Sequence, residues 1–362
     1  MLARVLALSA ALLLICGFAN ADTFVQTNLT SDTSGMAANT DPNLINPWGI
    51  AFGPTTPFWV ADNGSGVSTL YSGSGAALSL VVSIPPSPGS PAGTLGTPTG
   101  VVFNGAAGTG AFNGDRFIFA TEDGNIAGWS GGTSAAVRVD SPFGSYTGLA
   151  ITTDRIFAAN QATGQIDVFD SSYQPVILGS SFVDPTLPSG YKPFNIQNIG
   201  GLLYVTYANG AGGGIVDVFD TNGALIRRFS TGGVLNDPWG LALAPSTFGN
   251  LGGDILIGNF GNGTINAFDL NGNYVDTLKD GMGNTIVNES LWGLAFGNGG
   301  TGFDANKLYF TAGLANEQHG LFASLTDVPG TTGGGGTGTV PEPTTVALFL
   351  GGLAAFSIRR LR

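Results

Sequence analysis

Cysteine and histidine are almost missing from this chain, whose 362 residues hold one of each, Cys16 and His319. Cys16 lies in an N-terminal leader, so the mature chain has no thiol, and both disulfides and thiol catalysis are excluded. A structural zinc site is excluded with them, because zinc wants nitrogen or sulfur ligands. Charge is scarce as well, at 10% of residues. Between the two terminal segments 8 basic residues face 23 acidic ones, a net charge of −15. That balance argues against nucleic acid or anionic lipid as partner, since both are bound through clustered Lys and Arg. Helical patterning is absent from the body. No serine sits in a nucleophile elbow, and no glycine run joins a strand to a helix, so phosphate-loop and dinucleotide readings fail. What is abundant is glycine, 59 residues, with aromatics at 10%. Many turns and enough apolar surface for a large core point to an all-β protein.

The two ends are set apart by composition. Arg4, the apolar run "VLALSAALLLIC" (5–16) and "ANA" (19–21) have the three-part form of a signal peptide over 1–21, with cleavage expected after Ala21. The apolar run is too short to span a bilayer. At the other end a Gly/Thr-rich linker (329–339) leads into "VPEPTT" (340–345), the apolar stretch 346–358 and "RRLR" (359–362). The stretch is marginal for a transmembrane segment, with its arginines on the cytoplasmic side. Pro341, Glu342 and Pro343, the short span and the arginine cluster together resemble the PEP-CTERM sorting tag. That resemblance implies handling by an exosortase-type protease, removal of the tag and delivery to the cell surface or extracellular matrix.

Between the ends, "NPWGIAFG", "PTGVVF", "YTGLAI", "PFNIQNI", "DPWGLALA" and "LWGLAF" recur at intervals of about 48 residues. Their matching positions are Gly49, Gly100, Gly148, Asn195, Gly240 and Gly293. Each opens a period-2 stretch, large on one face and small on the other, as in Trp239, Leu241 and Leu243 against Gly240, Ala242 and Ala244. Three further strand-like runs follow in most copies, with Asn222-Gly223 and Asn271-Gly272 as hairpin turns. Four strands in each of six units predict a six-bladed β-propeller over 22–328. The sixth unit runs out of chain before its fourth strand, and "TFVQTNL" (23–29) belongs to no unit. This orphan should complete the last blade and close the ring, leaving no open edge there. Trp48, Trp239 and Trp292, with Phe194, Tyr146 and Thr99 in matching places, are expected to wedge between neighbouring blades and fill the wide outer part of the ring.

Second strands end on the face where innermost strands begin. Asp62, Glu122, Asn160, Asn209, Asn259 and Asn316 are thereby predicted to ring that face near the channel. Asp and Asn before glycine ordinarily cap their own turns. As a site, the ring would suit Ca²⁺, which takes six to eight oxygen ligands. His319 reads as a turn residue at a strand start, with a general base as the sharper alternative. The proline-rich insertion 83–98 should lie on the same face, as a rim over the channel or as a tolerated loop.

"NPWGIAFGPTTPFWVADNGSG", "FATEDGNIAGW", "PFNIQNIGGLLYVTYA", "DPWGLALAP" and "FGNGGTGFDANKLYFTAG" together resemble an uncharacterised bacterial family of secreted NHL-like propellers, many ending in the PEP-CTERM tag. The resemblance runs from about residue 22 to 326. It implies architecture and export, with no catalytic residues to carry over. Three functional readings follow: a non-enzymatic binding or scaffolding module for matrix polysaccharide or a surface protein; a Ca²⁺-dependent lactonase or gluconolactonase-like hydrolase with its metal on the axis; and a structural matrix protein without a specific ligand.

Overall fold

The computed structural model describes residues 22–328, so the expected signal peptide, sorting tag and C-terminal apolar stretch lie outside the described residues. Among the described residues no helix is long and apolar enough to cross a membrane. Those residues form the six-bladed propeller. The innermost strands are Pro47–Ala51, Pro98–Phe103, Tyr146–Ile151, Lys192–Ile199, Pro238–Leu243 and Leu291–Phe296. Each pairs antiparallel with the strand after it. Four blades have four strands of their own; the third has three.

The sixth blade is closed as the strand count requires. Thr23–Ser31 runs antiparallel to His319–Val328, paired from Thr23 opposite Val328 to Ser31 opposite Leu321 with one irregularity between Asn28 and Thr30. Phe24 and Leu29 face inward and are buried, while Val25 faces out. Phe24 packs on Phe248 of blade 5 at 5.3 Å between ring centroids, so the strand that closes one blade also seals it to its neighbour.

The repeated glycines have a steric reason. A Cβ on Gly49 would lie 2.5 Å from Thr99 O and 2.8 Å from Val101 N of blade 2. Gly100, Gly148, Gly240 and Gly293 stand equally tight against the next innermost strand. The opposite face of the same strands carries the large residues into the interface with the preceding blade, Val101 against Trp59 and Leu241 against Val218. Blade 4 replaces the glycine with Asn195, whose Nδ2 donates to Trp239 O of blade 5 (2.8 Å). Thr99 Oγ1 to Tyr146 O (2.7 Å) and Thr311 Oγ1 to Trp48 O (2.5 Å) make comparable bonds between blades 2 and 3 and blades 6 and 1.

The aromatic residues do not fill the outer ring as the sequence suggested. Trp48, Trp239, Trp292 and Phe194 meet one another over the axis, joined by Phe260. Trp48 stacks on Trp292 at 3.5 Å, and Trp239 lies edge-on to both. Trp239 Nε1 reaches from blade 5 to Thr147 O of blade 3 (2.9 Å), which is possible only across the centre. The cause is a register irregularity in every innermost strand at its opening residues. A bulge bends the strand and re-aims the side chain beside it. In the three tryptophan blades the residue two positions earlier also turns left-handed: Asn46 (φ 47°), Asp237 (φ 45°) and Ser290 (φ 46°). Their carbonyls accept N–H groups from the end of the second strand, Asn63, Phe260 and Gly313 respectively. In blade 3 the residue in register with the tryptophans is Thr147 and not Tyr146, which pairs with Asn160 as Pro238 pairs with Asn259; Tyr146 and Thr99 stay between blades.

Candidate functional site

The axis is therefore stoppered at the end where second strands finish. The other mouth is a cavity of about 610 Å³ between the far ends of all six innermost strands. The insertion 83–98 lies on the stoppered face, as the topology requires. Its Ser87 donates from backbone N and Oγ to Asp123 of blade 2 (2.8 and 2.5 Å).

Of the six residues predicted to ring this face, four turn their side chains onto nearby backbone and hairpins. Asp62 is fully buried, and its Oδ2 accepts from Thr69 N and Oγ1 (3.0 and 2.7 Å). Asn160 accepts from Ser145 N and donates to Asp167 Oδ2. Asn209 accepts from Ala211 N and Gly213 N within its own turn. Asn259 accepts from Asn236 N and donates to Val234 O and Thr264 Oγ1. These are the bonds of turn-capping side chains. Asp62 Oδ1 has no partner, and burial pushes the carboxyl well above the ordinary carboxylate range. Asn316 is placed on the rim, where its backbone N–H donates to Glu289 Oε1 (2.8 Å).

Glu122 alone of the six joins a cluster that spans blades. Asn63 Nδ2 donates to Glu122 Oε2 (2.8 Å), and Asn46 Nδ2 donates to Glu317 Oε2 (3.0 Å). A longer contact of 3.4 Å links Asn46 Nδ2 to Asn63 Oδ1. Trp292 Nε1 donates to Asn46 Oδ1 (3.1 Å), which ties the chain to the aromatic stopper below it. Blades 1, 2 and 6 thus contribute Asn46 and Asn63, Glu122, and Glu317. Burial raises both glutamates above the usual carboxyl range; for Glu317 the charge on Glu122 adds to it. Among the described residues no three His, Cys, Asp or Glu side chains are grouped closely enough to hold a metal ion.

The turn that presents Glu317 is strained. Ala315, Asn316 and Glu317 have φ of 53°, 53° and 65°, three successive left-handed residues, none of them glycine. Each costs on the order of 1–2 kcal/mol. Glu289 holds the turn by accepting from Ala315 N and Asn316 N (3.1 and 2.8 Å). His319, just beyond, opens the next strand as a half-exposed turn residue, with Nδ1 2.7 Å from Asp32 Oδ2.

The chain is 34% identical over 325 residues to uncharacterized protein R648 of Acanthamoeba polyphaga mimivirus, covering 82% of this chain and 78% of that protein. Uncharacterized protein L690 of the same virus is 32% identical over 324 residues, covering 82% and 84%. The chain belongs to the family of these two proteins. Residues 339–362 match the PEP-CTERM protein-sorting motif, so this member carries the signal for export and C-terminal sorting by exosortase-type machinery. Among solved structures, a protein of unknown function from Bacteroides thetaiotaomicron superposes with a TM-score of 0.56 at 13% identity, over 85% of this chain and 77% of that one. A streptogramin B lyase superposes at 0.53 and 13%, over 84% and 98%. At such identities the likeness extends to the propeller fold alone.

Proposed function

We propose that this family member is an exported, NHL-like binding module of the bacterial cell surface or exopolysaccharide matrix, without catalysis of its own. Its binding face is the stoppered one, and its ligand is a hydroxyl-rich polysaccharide, neutral or amine-bearing. The observation that carries this reading is the chain Glu122–Asn63–Asn46–Glu317, assembled from three blades beside a strained turn. Strain held in place by surrounding contacts is characteristic of functional positions. Carboxylates and amides side by side can accept from and donate to sugar hydroxyls. The acidic body would repel an anionic polymer, which narrows the class. The sorting motif supports delivery to such a ligand.

The test is calorimetric titration of the purified chain with neutral, amine-bearing and anionic polysaccharides, repeated with the Glu122→Gln/Glu317→Gln pair. Binding to one of the first two, weakened at least about tenfold in the variant, is expected from the loss of charge-assisted bonds. Equal affinity of variant and wild type would move the site elsewhere. A thermal melt with millimolar Ca²⁺ completes it: a native-state site at 100 times its Kd adds about 2.7 kcal/mol. A rise in midpoint that Glu122→Gln removes would replace the binding-module reading with the calcium-dependent hydrolase.

A further inference from the structure

Blade 3 is the one three-stranded blade among the described residues. Its chain starts a fourth strand and then abandons it. Phe169 bridges to Pro175, and Val176 N donates to Val168 O (2.8 Å). Ile177 then swings out, 100% exposed, and Phe182 drops into the interface with blade 4, against Phe157 and Phe219. A notch of about 440 Å³ is left beside Gln165, Ile166 and Asp167. The parity of the third strand tells which backbone groups face it. Val168 O points outward to Val176, and Ile166 lies two residues away in the same ladder. Ile166 N–H and C=O therefore point outward as well, onto an open edge.

The internal repeat indicates what would fit there. "IDVFD" (166–170) of blade 3 matches "VDVFD" (216–220) of blade 4, so Asp167 is the counterpart of Asp217. Asp217 faces Arg228 of the outer strand Leu225–Thr231, whose Nε donates to Oδ1 (3.2 Å). In blade 5 the same position is Asn266, opposite Thr277, whose hydroxyl donates to Asn266 Oδ1 (2.6 Å). Blade 3 supplies no such outer residue. The bonds Asp167 receives, from Tyr146 Oη (2.9 Å) and Asn160 Nδ2 (2.8 Å), both fall on Oδ2. No basic residue lines the notch. Exposed apolar side chains flank it: Ile177, Val183 at 61%, and Phe143 at 87%, two residues from Ser141 in the notch wall.

We propose that this edge is a strand-acceptor site for an extended segment of a partner protein, bearing arginine between apolar residues and setting that arginine opposite Asp167. Main-chain bonds to Ile166 would supply affinity and the Asp167–arginine pair the register, the usual division in strand addition. A second copy of this chain is disfavoured, because its own strand Gln165–Asp170 carries no basic residue to set opposite Asp167.

The experiment titrates the purified full chain against a labelled synthetic peptide, ALIRRFST, which copies the outer strand of blade 4. Saturable binding is expected. Asp167→Asn, which keeps an acceptor for Tyr146 and Asn160, should weaken it about tenfold, as should glutamate in place of the second peptide arginine. Methylating alternate peptide amides should abolish it. In hydrogen exchange, the Ile166 amide should be fast in the free chain and slow with peptide bound. No binding at millimolar peptide, indifference to Asp167→Asn, or an Ile166 amide already protected in the free chain would overturn the proposal. A dimer in sedimentation that Asp167→Asn strengthens would also overturn it, by giving the edge to a second copy.

Discussion

If the first strand closes the ring, shortening one inward side chain on it should cost as much as a core substitution elsewhere, although it is the first strand of the described residues. Phe24 is the residue to change. It is 2% exposed, packs on Phe248 and belongs to the core cluster shared by blades 5 and 6. Its backbone N–H also reaches Lys279 O of blade 5 (2.8 Å). Phe→Ala in a packed core costs about 3–5 kcal/mol, a large share of the roughly 5–15 kcal/mol by which a protein is stable. At roughly 2–4 °C per kcal/mol for a large domain, the melting midpoint of Phe24→Ala should fall by about 6–20 °C. The neighbouring Val25 is the internal control. It points outward and is 52% exposed, so Val25→Ala should stay within about 0.5 kcal/mol of the parent. Scanning calorimetry of the two variants beside the parent decides the matter. A Phe24→Ala midpoint within 2 °C of the parent, or an equal loss in Val25→Ala, would mean that the strand merely decorates a ring stable without it.

Two further outcomes follow from the geometry. Gly49→Ala would drive a Cβ against the Thr99 carbonyl, and overpacking of this kind costs about 1–3 kcal/mol; Gly281→Ala, with open space around it, should melt with the parent. Glu317 has a folded-state pKa raised by burial and by Glu122, so its contribution to stability is complete below the unfolded carboxyl range and is lost as pH rises through the higher folded value. Melts from pH 4 to 8 should therefore show Glu317→Gln gaining on the parent as pH rises, and a constant difference would count against a perturbed carboxyl.

The propeller was legible because the blades restate one pattern: a glycine where backbones touch (Asn195 in blade 4), large residues on the opposite face, and a hairpin turn. Closure was legible by elimination, since one strand was left over and one blade was incomplete. The aromatic stopper was not. A bulge leaves no mark in composition or period, and without it the tryptophans belong to the alternation that points between blades. A trace of it does exist in the chain, for Asn46, Asp237 and Ser290 are all residues that favour turns, two positions ahead of a tryptophan.

The candidate face was misread for a related reason. Matching hairpins on their turn glycines equates Asp62 with Glu122. The strand register says otherwise, for Asp62 pairs with Pro47 as Thr121 pairs with Pro98. Asp62, Thr121, Asn160 and Asn259 are thus one position, the last of the strand, and its side chain is spent on the hairpin it closes. Thr121 Oγ1 accepts from Asn125 N (2.9 Å), the same service that Asp62 gives Thr69. The residue one further along faces the axis, and there Glu122 corresponds to Asn63. Blade 2 turns its hairpin one residue sooner, so glycine spacing hides the equivalence. In blade 6 the strained turn carries the chain to Glu317, next to the Asn316 that the turn pattern singles out. Side chains alternate faces along a strand, so an offset of one residue exchanges a capping group for an axial one. The pairing of inner and second strands, rather than the spacing of glycines, selects the residues that face the axis here.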